Sequence, residues 1–465
     1  SDSTRSVSRQ VAPGQYITHW SGGLQWTCGA SRMVADSAVK YDVDRRLEAI
    51  GSVRYRDSLR TLTADTLTYW QDEDRLVATG EVHLVRLTSR SELRGPRVEF
   101  FRPGGSGPQR TVATGRPHLT VRDTTGKGEP AEIDAGRMVF EGEREARMSG
   151  DVRIVRGDVA ARSDSAVYRA STHEGRLLGA PEVVREDFRL AGNTIAADID
   201  SGRVRSVRSR GEAEASGKSF RLYADAIDGR IADEKIDRLW AHGKAPALAV
   251  SAPYRLDGDS LVFAFRGGDI DSLQAVGGAS AVEVGDSASE ALGAADRAHA
   301  PAAAAGEENW VRGDTLLLAF EDSAGAADSA AAAADSVARS AAEAGPPASD
   351  SAAAVRPADA AASGSDTTGA APPGSAASDR ERRLREIRAI GAARAYYLVP
   401  RDSAADPRPA RNYLIGKEVT VYFEDGKARR VRGVDAIGVF LDPQAPGQRG
   451  PPPPARTGGE GQGSP

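Results

Sequence analysis

The sequence predicts an all-β fold: an elongated, repetitive β-jelly roll or solenoid of two facing antiparallel sheets, with about ten two-strand units and disordered insertions. Two patterns in the 465 residues predict this fold. One is a glycine that recurs with a period near thirty residues, and the other is an alternation of apolar and polar residues around it. If each unit adds about one strand to each sheet, ten units extend on the order of 50 Å.

The recurring glycine is expected to bend or break the second strand of each unit. The first strand opens with Asp or Gly, as in Asp36-Ser-Ala-Val-Lys-Tyr41 and Gly136-Arg-Met-Val-Phe140. One interval, from Gly277 to Gly391, departs from the period, and an insertion explains it. The glycines that mark the units are Gly51, Gly80, Gly115, Gly150, Gly179, Gly211, Gly243, Gly277, Gly391 and Gly433.

Apolar residues stand at the second and fourth positions after the glycine and at alternate positions of the Asp-headed strand. Because strand side chains alternate between faces, these residues are expected to point between the sheets. The inward-facing positions predicted in this way are Val53, Tyr55, Leu67, Tyr69, Val82, Leu84, Val98, Phe100, Met138, Phe140, Val152, Ile154, Leu261, Phe263, Leu316, Leu318, Val419 and Val421.

Composition divides the chain into ordered and disordered parts. The predicted divisions are a disordered N-terminus at 1–15, a jelly roll at 16–285, a low-complexity insertion at 286–307, a β-unit at 308–321, an Ala/Ser-rich disordered insertion at 322–379, the final jelly-roll units at 380–442 and a Pro/Gly-rich tail at 443–465. The insertions hold too few large apolar groups to offset chain entropy. A short helical connector is expected at 380–390, where charged residues surround Leu384 and Ile387.

Charge and cysteine content exclude several classes of protein. The net charge of −5 supplies no excess of cations for a phosphate backbone, so a nucleic-acid partner is not expected. Cys28 is the single cysteine, and it can form neither an intramolecular disulfide nor a cysteine metal cluster. No run of eighteen apolar residues is present. The chain begins at Ser1 as a processed chain does, so a signal peptide is expected to have been removed.

Motifs for catalysis and cofactor binding were not found in the sequence. Gly211 to Gly217-Lys-Ser219 resembles a phosphate-binding loop, but five residues separate the glycines where four are required. The recurrent Asp offers one carboxylate per unit, too few oxygens for calcium, and is predicted to cap turns. No enzyme activity, cofactor or metal is therefore predicted.

The repeat resembles the organic-solvent-tolerance (OstA-like) family, the β-jelly-roll modules of lipopolysaccharide export. The best-matching stretches are Ala35-Asp-Ser-Ala-Val-Lys-Tyr41 to Gly51-Ser-Val53, and Ala64-Asp-Thr-Leu-Thr-Tyr69 to Gly80-Glu-Val82. The resemblance covers about Tyr16 to Leu441, less the two insertions. No array of barrel strands follows Leu441, so the outer-membrane translocon itself is not expected.

This resemblance implies a periplasmic protein, with outer-membrane association open, that carries the acyl chains of lipid A between its sheets. The eighteen inward-facing residues then become candidate lipid contacts. The implied partners are lipopolysaccharide or lipid A, other β-jelly-roll transport proteins that pair by edge strands, and the outer-membrane translocon. The exposed edges are expected at 16–26 and 434–441.

Later units replace the bulky inward pair with alanine, at Ala213/Ala215, Ala245/Ala247, Ala279/Ala281 and Ala393/Ala395. Small inward side chains either leave room for a guest acyl chain or let the sheets approach more closely. The second reading corresponds to a structural envelope β-solenoid without lipid cargo. A polysaccharide enzyme on a repeat scaffold is a third reading, for which clustered exposed carboxylates and aromatics would be needed.

Overall fold

The computed structural model describes residues 4–101, 109–122, 128–200, 202–251, 254–283, 309–321, 383–399, 410–424 and 427–441. Every regular element in these ranges is a β-strand. The predicted insertions at 286–307 and 322–379 and the predicted tail at 443–465 lie outside the described residues.

The strands are β1 (Arg5–Ala12), β2 (Gln15–Cys28), β3 (Ser31–Tyr41), β4 (Arg46–Arg56), β5 (Arg60–Trp70), β6 (Arg75–Arg86), β7 (Glu92–Phe101), β8 (Arg110–Thr114), β9 (His118–Val121), β10 (Ala131–Asp134), β11 (Arg137–Glu141), β12 (Glu145–Arg156), β13 (Val159–Arg169), β14 (Glu174–Leu178), β15 (Glu182–Arg185), β16 (Phe188–Ala191), β17 (Thr194–Asp200), β18 (Arg203–Gly217), β19 (Phe220–Ala232), β20 (Lys235–Ser251), β21 (Tyr254–Arg266), β22 (Asp269–Glu283), β23 (Trp310–Glu321), β24 (Arg383–Val399), β25 (Ala410–Glu424), β26 (Lys427–Val434) and β27 (Ile437–Leu441).

All these strands belong to one antiparallel sheet in which chain neighbours pair with each other. Several strand positions consist of two short collinear strands. For example, β7 pairs with β8 along one half of its length and with β9 along the other. Such breaks occur at β8/β9, β10/β11, β14/β15, β16/β17 and β26/β27, and Pro117 and Pro181 stand at two of them. Proline cannot donate to the ladder, which is consistent with an interruption there.

The sheet folds over itself along a line that crosses every long strand at its middle. Between the β4–β5 pairs Ala49↔Leu67 and Val53↔Ala64, β4 advances four residues while β5 advances three. One extra residue on one strand is a β-bulge, which bends the strand and increases its twist. The same bulge recurs between β5 and β6, and between β12 and β13.

The bend defines two facing layers. Layer I is the half of each glycine-bearing strand that follows the bend, such as residues 53–56 of β4, together with the halves of the neighbouring strands that pair with it. Layer II is the half that precedes it, such as residues 46–50. The free margin of each layer is formed by the turns beyond these halves, and we call these margin I and margin II.

Glycine is required at the bend by backbone conformation and by space. Gly51 has a φ of 81° and Gly391 a φ of 72°, in the left-handed region that glycine adopts without strain. A Cβ on either glycine would overlap the carboxylate of the Asp that opens the preceding strand, Asp36 or Asp314. The recurring Asp and Gly are therefore in contact with each other across the ladder.

The Asp carboxylate binds the backbone of the bulge. Asp225 accepts hydrogen bonds from the N–H groups of Lys244 at 2.7 Å and Ala245 at 3.2 Å, and Asp65 accepts one from Glu81 at 3.3 Å. These hydrogen bonds lower the pKa of Asp225. Turn capping was predicted for these Asp residues, and that prediction is wrong in location, because the backbone that they cap is a bulge within a strand.

The all-β jelly-roll prediction is confirmed, and β3 to β27 form ten two-strand units. The predicted pair of sheets is one continuous sheet folded in two. Each unit therefore adds two strands to each layer instead of one. About twenty-two strand positions at ~4.8 Å give a length on the order of 100 Å, about twice the length expected from the sequence.

Two local predictions are wrong. Residues 5–12 were expected to be disordered, but they form β1, which pairs with β2 through the turn at Pro13-Gly14. A helix was expected at 380–390, but residues 383–390 belong to β24. A bulge opposite the step from Ala319 to Phe320 separates Leu384 from Ile387 by three residues, which mimics helical spacing.

Gly391→Ala tests whether the bend depends on the Asp–Gly contact. Gly267 is a matched control, because its φ of 70° is nearly that of Gly391 but no atom lies within 4 Å of a Cβ built there. In urea unfolding followed by tryptophan fluorescence, we expect Gly267→Ala to lose ~1 kcal/mol from left-handed strain and Gly391→Ala to lose ~3 kcal/mol.

Replacing Asp314 in the Gly391→Ala variant separates the effect of the Asp–Gly contact from that of backbone conformation. The double variant Asp314→Ala/Gly391→Ala should lose less unfolding free energy than Gly391→Ala alone, with a loss close to that of Gly267→Ala, because the overlap with the Asp314 carboxylate is removed. Equal losses for the two single alanine variants would show that backbone conformation alone fixes glycine at the bend.

Candidate functional site

The space between the layers is lined by the residues that the sequence predicted to point inward. Fifteen of the eighteen are buried, and Tyr55, Tyr69 and Ile154 are half-buried. Tyr55 and Ile154 still pack against the buried cluster of their region. Tyr69 donates a hydrogen bond from its hydroxyl to Asp74 at the margin. Whether these residues contact lipid stays a prediction.

The interior consists of two apolar clusters. An N-terminal lobe is built from buried residues between Ala35 and Ala166, and a C-terminal lobe from buried residues between Leu190 and Phe423. Leu177 packs against both clusters and lies where they meet. The apolar interior therefore continues from one lobe to the other at Leu177, although the buried residues form two clusters.

The lobes differ in the side chains that the glycine-bearing strands present in layer I. In the C-terminal lobe these strands present alanine toward the interior, while the strands between them present larger residues in the same layer, such as Leu222 and Leu256. The buried layer I alanines are Ala213, Ala215, Ala247, Ala249, Ala279, Ala281, Ala393 and Ala395. The buried residues opposite them include Ile227, Leu239, Leu261, Phe263, Leu273 and Leu316. In the N-terminal lobe the glycine-bearing strands instead present larger residues in layer I, among them Val53, Val82 and Leu84.

One of the predicted alanines was placed wrongly. Ala245 is exposed, and Ala249 takes an inward position next to Ala247. Between the β20–β21 pairs Ala241↔Leu261 and Ala247↔Gly258, β20 advances six residues instead of four. Two additional residues, in the stretch that holds Pro246, preserve the inward alternation but move it along the strand.

The gap between margin I and margin II, which we call the mouth, is closed by side chains. Among the described residues no backbone hydrogen bond joins the two margins. In the N-terminal lobe, arginines of margin I reach across to margin II. The guanidinium carbon of Arg60 lies 4.9 Å from the ring centroid of Phe100, and that of Arg86 lies 5.3 Å from that of Phe140. Arg156 donates a hydrogen bond to the carbonyl of Gly202.

Aromatic pairs take over this role in the C-terminal lobe. Phe220 at margin I lies 5.6 Å from Phe265 at margin II, and Tyr254 lies 5.7 Å from Phe423, both measured between ring centroids. Each such pair contributes ~1 kcal/mol beyond its area burial. The sequence analysis did not predict these contacts between the margins, because they join strands that are far apart in the chain.

A pocket opens beside Tyr254. It encloses about 310 Å³, part of it open to solvent, and its lining includes Glu283, Trp310, Tyr397 and Phe423. The Tyr254 hydroxyl is buried and makes no hydrogen bond within the described part of the chain. Burial, with the nearby Glu283 carboxylate, raises the pKa of Tyr254 well above its usual range. The pocket extends the interior to margin I at this position.

The outer face of the N-terminal lobe carries a charged group with a shifted pKa. His118 on β9 contacts Asp134 through Nδ1 at 2.9 Å and Glu132 through Nε2 at 2.7 Å. The hydrogen bond to Asp134 is the largest cause of a raised His118 pKa, and Glu132 adds to it. Both ring nitrogens face carboxylates, so this geometry suits the protonated imidazole.

Within the ranges that the structure covers, no group of three or more His, Cys, Asp and Glu is placed to hold a metal ion. The same ranges contain no helix long and apolar enough to cross a bilayer.

Comparison with known proteins gives one family match. Residues 61–158 match the family described as LptA/(LptD N-terminal domain) LPS transport protein. The match runs from β5 to the turn after β12 and confirms the resemblance predicted from the repeat.

Among solved structures, one match is LptH, the LptA homologous periplasmic component of the conserved lipopolysaccharide transport device from Pseudomonas aeruginosa. It is 17% identical, covers 26% of this chain and 82% of its own, and superposes with a TM-score of 0.22. No curated protein matches the chain.

His118→Gln is expected to change how stability depends on pH. A raised folded-state pKa means that the stabilisation by His118 is complete below its unfolded value near 6.5 and is lost as pH rises through the folded value. The difference in urea midpoint between wild type and His118→Gln should therefore be largest near pH 5.5 and should shrink toward pH 9. Asp134→Asn should reduce this pH dependence, and a difference that grows with pH would contradict it.

Proposed function

We propose that the protein is a non-enzymatic periplasmic carrier or bridge in lipopolysaccharide transport to the outer membrane, holding acyl chains between the layers of its jelly roll. The observation that carries the proposal is the closure of the mouth by side chains alone. An apolar interior whose free margins share no backbone ladder can open along its length without breaking the sheet. The family match at 61–158 supports the same class of cargo.

The free energies of the mouth contacts and of acyl-chain burial favour opening of the mouth when cargo is present. The Arg–aromatic and aromatic–aromatic contacts at the mouth contribute ~1 kcal/mol each. A buried acyl chain of about twelve methylenes gains on the order of 10 kcal/mol at ~0.8 kcal/mol per methylene. The free-energy cost of separating a few mouth contacts is therefore small compared with the free energy gained by burying one acyl chain.

A structural solenoid without cargo is the second candidate, and the packing of the interior favours it. Phe263, Leu261 and Leu316 are fully buried in contact with other side chains of the C-terminal cluster. Under this reading the alanines that the glycine-bearing strands present in layer I bring the two layers closer together, and the mouth contacts are permanent. Occupancy by lipid separates the two candidates.

The edges of the sheet offer the means for end-to-end assembly. The strands β26 and β27 pair with β25 and with no other strand in the described ranges. Ile437 is 78% exposed and Phe440 is 60% exposed. An unpaired edge with exposed apolar side chains accepts a strand from another jelly roll. The other predicted edge has moved, because β1 covers residues 15–21 of β2 and leaves 24–28 open.

Lipid carriage can be tested by filling the interior. Ala249→Leu adds volume between the layers, while Ala245→Leu adds the same volume on the exposed side of the same strand. In native mass spectrometry of protein from an outer-membrane-bearing cell, we expect co-purified lipid A with wild type and Ala245→Leu and at least a fivefold lower lipid-bound fraction with Ala249→Leu. Wild-type protein free of lipid under mild conditions would support the structural solenoid.

End-to-end assembly can be tested by adding charge to the edge. Ile437→Asp combined with Phe440→Asp should weaken self-association measured by analytical ultracentrifugation by tenfold or more, since charge at an edge opposes strand pairing. Val43→Asp is the control, because Val43 is 58% exposed in a turn at margin II. Equal self-association of all three proteins would contradict pairing at this edge.

A further inference from the structure

Two arginines stand side by side at the mouth of the N-terminal lobe. Arg60 on β5 and Arg86 on β6 are direct cross-strand partners. Both continue the inward alternation of their strands, after Leu62 and Leu84, which are buried. Like charges that face each other directly across a ladder are destabilising. The position therefore calls for a compensating negative charge.

The compensation available within the protein falls on Arg60. Its Nε contacts the Asp57 carboxylate at 3.2 Å, and the same carboxylate accepts hydrogen bonds from the N–H groups of Leu59 and Arg60. With its amide oxygen turned toward Arg60, Gln109 accepts from both terminal nitrogens at 3.0 Å. These contacts hold the Arg60 guanidinium in one place and leave little of it for another ligand.

Arg86 has no such support. Its side chain makes no hydrogen bond or ion pair among the described residues, and its contact is with the face of the Phe140 ring at 5.3 Å. Glu143, in the turn between β11 and β12, attracts it, and Arg60 repels it. Burial lowers the Arg86 pKa from its ordinary value. An arginine remains protonated in proteins, so a half-buried cation whose five donors have no acceptor within the described residues lies at the mouth.

We propose that Arg86 binds a phosphate monoester on the head group of the acylated cargo, with Arg60 as the fixed neighbouring cation. This inference rests on the proposed function, since the acyl chains of the same molecule lie between the layers behind Phe140 and Leu84. The planar guanidinium matches two phosphate oxygens at once, as arginine does at phosphate sites generally. The arginine supplies the selectivity for phosphorylated lipid, and the interior supplies the affinity for acyl chains.

The test compares two lipids and three proteins as full-length chains. The probes are lipid A that carries its phosphates and the same lipid after enzymatic dephosphorylation, each titrated by displacement of a fluorescent fatty-acid analogue. Wild type should bind the phosphorylated lipid about tenfold more tightly, as expected for a charge-assisted bidentate contact. Arg86→Gln should remove this preference while binding to the dephosphorylated lipid stays within about twofold of wild type.

Arg94→Gln is the control, because Arg94 lies on the neighbouring strand β7 of the same lobe, on the outer face, paired with Glu92. It should retain the wild-type preference. A preference that Arg86→Gln retains would overturn the phosphate site while leaving carriage intact. If neither lipid displaces the fluorescent analogue from the wild-type protein, the proposed function itself fails.

Inorganic phosphate distinguishes a head group from a free ion. As a competitor against phosphorylated lipid A, it should act only at concentrations at least a hundredfold higher, because it lacks the acyl chains that the interior binds. Competition by inorganic phosphate at concentrations equal to those of the lipid would assign Arg86 to a free anion and overturn the head-group proposal.

Discussion

The contact between an Asp carboxylate and the left-handed glycine of the next strand is the constraint on which the rest of this structure depends. It fixes one extra residue at the same place in successive strands, as the pairs Ala49↔Leu67 and Val53↔Ala64 show. Because the bends align from strand to strand, a single ladder becomes two facing layers. Where Asp is replaced, the bend persists: Asn193 packs against Gly211, and Gly136 packs against Gly150. Of the Asp–Gly pair, the glycine at the bend is thus the residue that is harder to replace.

Alignment of the bends also determines how the interior can be filled. In the C-terminal lobe, alanines such as Ala281 on layer I oppose large residues such as Phe263 on layer II. In the N-terminal lobe the corresponding positions of the glycine-bearing strands carry larger residues, as Val82 and Leu84 illustrate. The two lobes therefore reach similar burial with different divisions of volume.

The sequence was sufficient to predict what is local and repeated. The Asp and Gly spacing and the period of two predicted the ten units and the inward orientation of residues such as Val82 and Leu316. Prediction failed where a bulge changed the count, as at Ala245 beside Pro246 and at Leu384 beside Ile387. It also failed at the mouth, where Arg86 meets Phe140. That contact depends on how the twist of the folded sheet displaces one margin relative to the other, and no spacing in the chain encodes it.

The long connections of the chain start and finish at the margins. Strand β23 is joined to β22 through 26 residues, 284–309, and to β24 through 61 residues, 322–382, yet it pairs in register with both. Loop-closure entropy grows only with the logarithm of length, by ~0.6 kcal/mol for each doubling. A turn at a margin can therefore lengthen greatly at small thermodynamic cost, whereas one added residue at the bend shifts the register of a whole strand. Growth in chain length is tolerated at the rims of this fold and opposed along its crease.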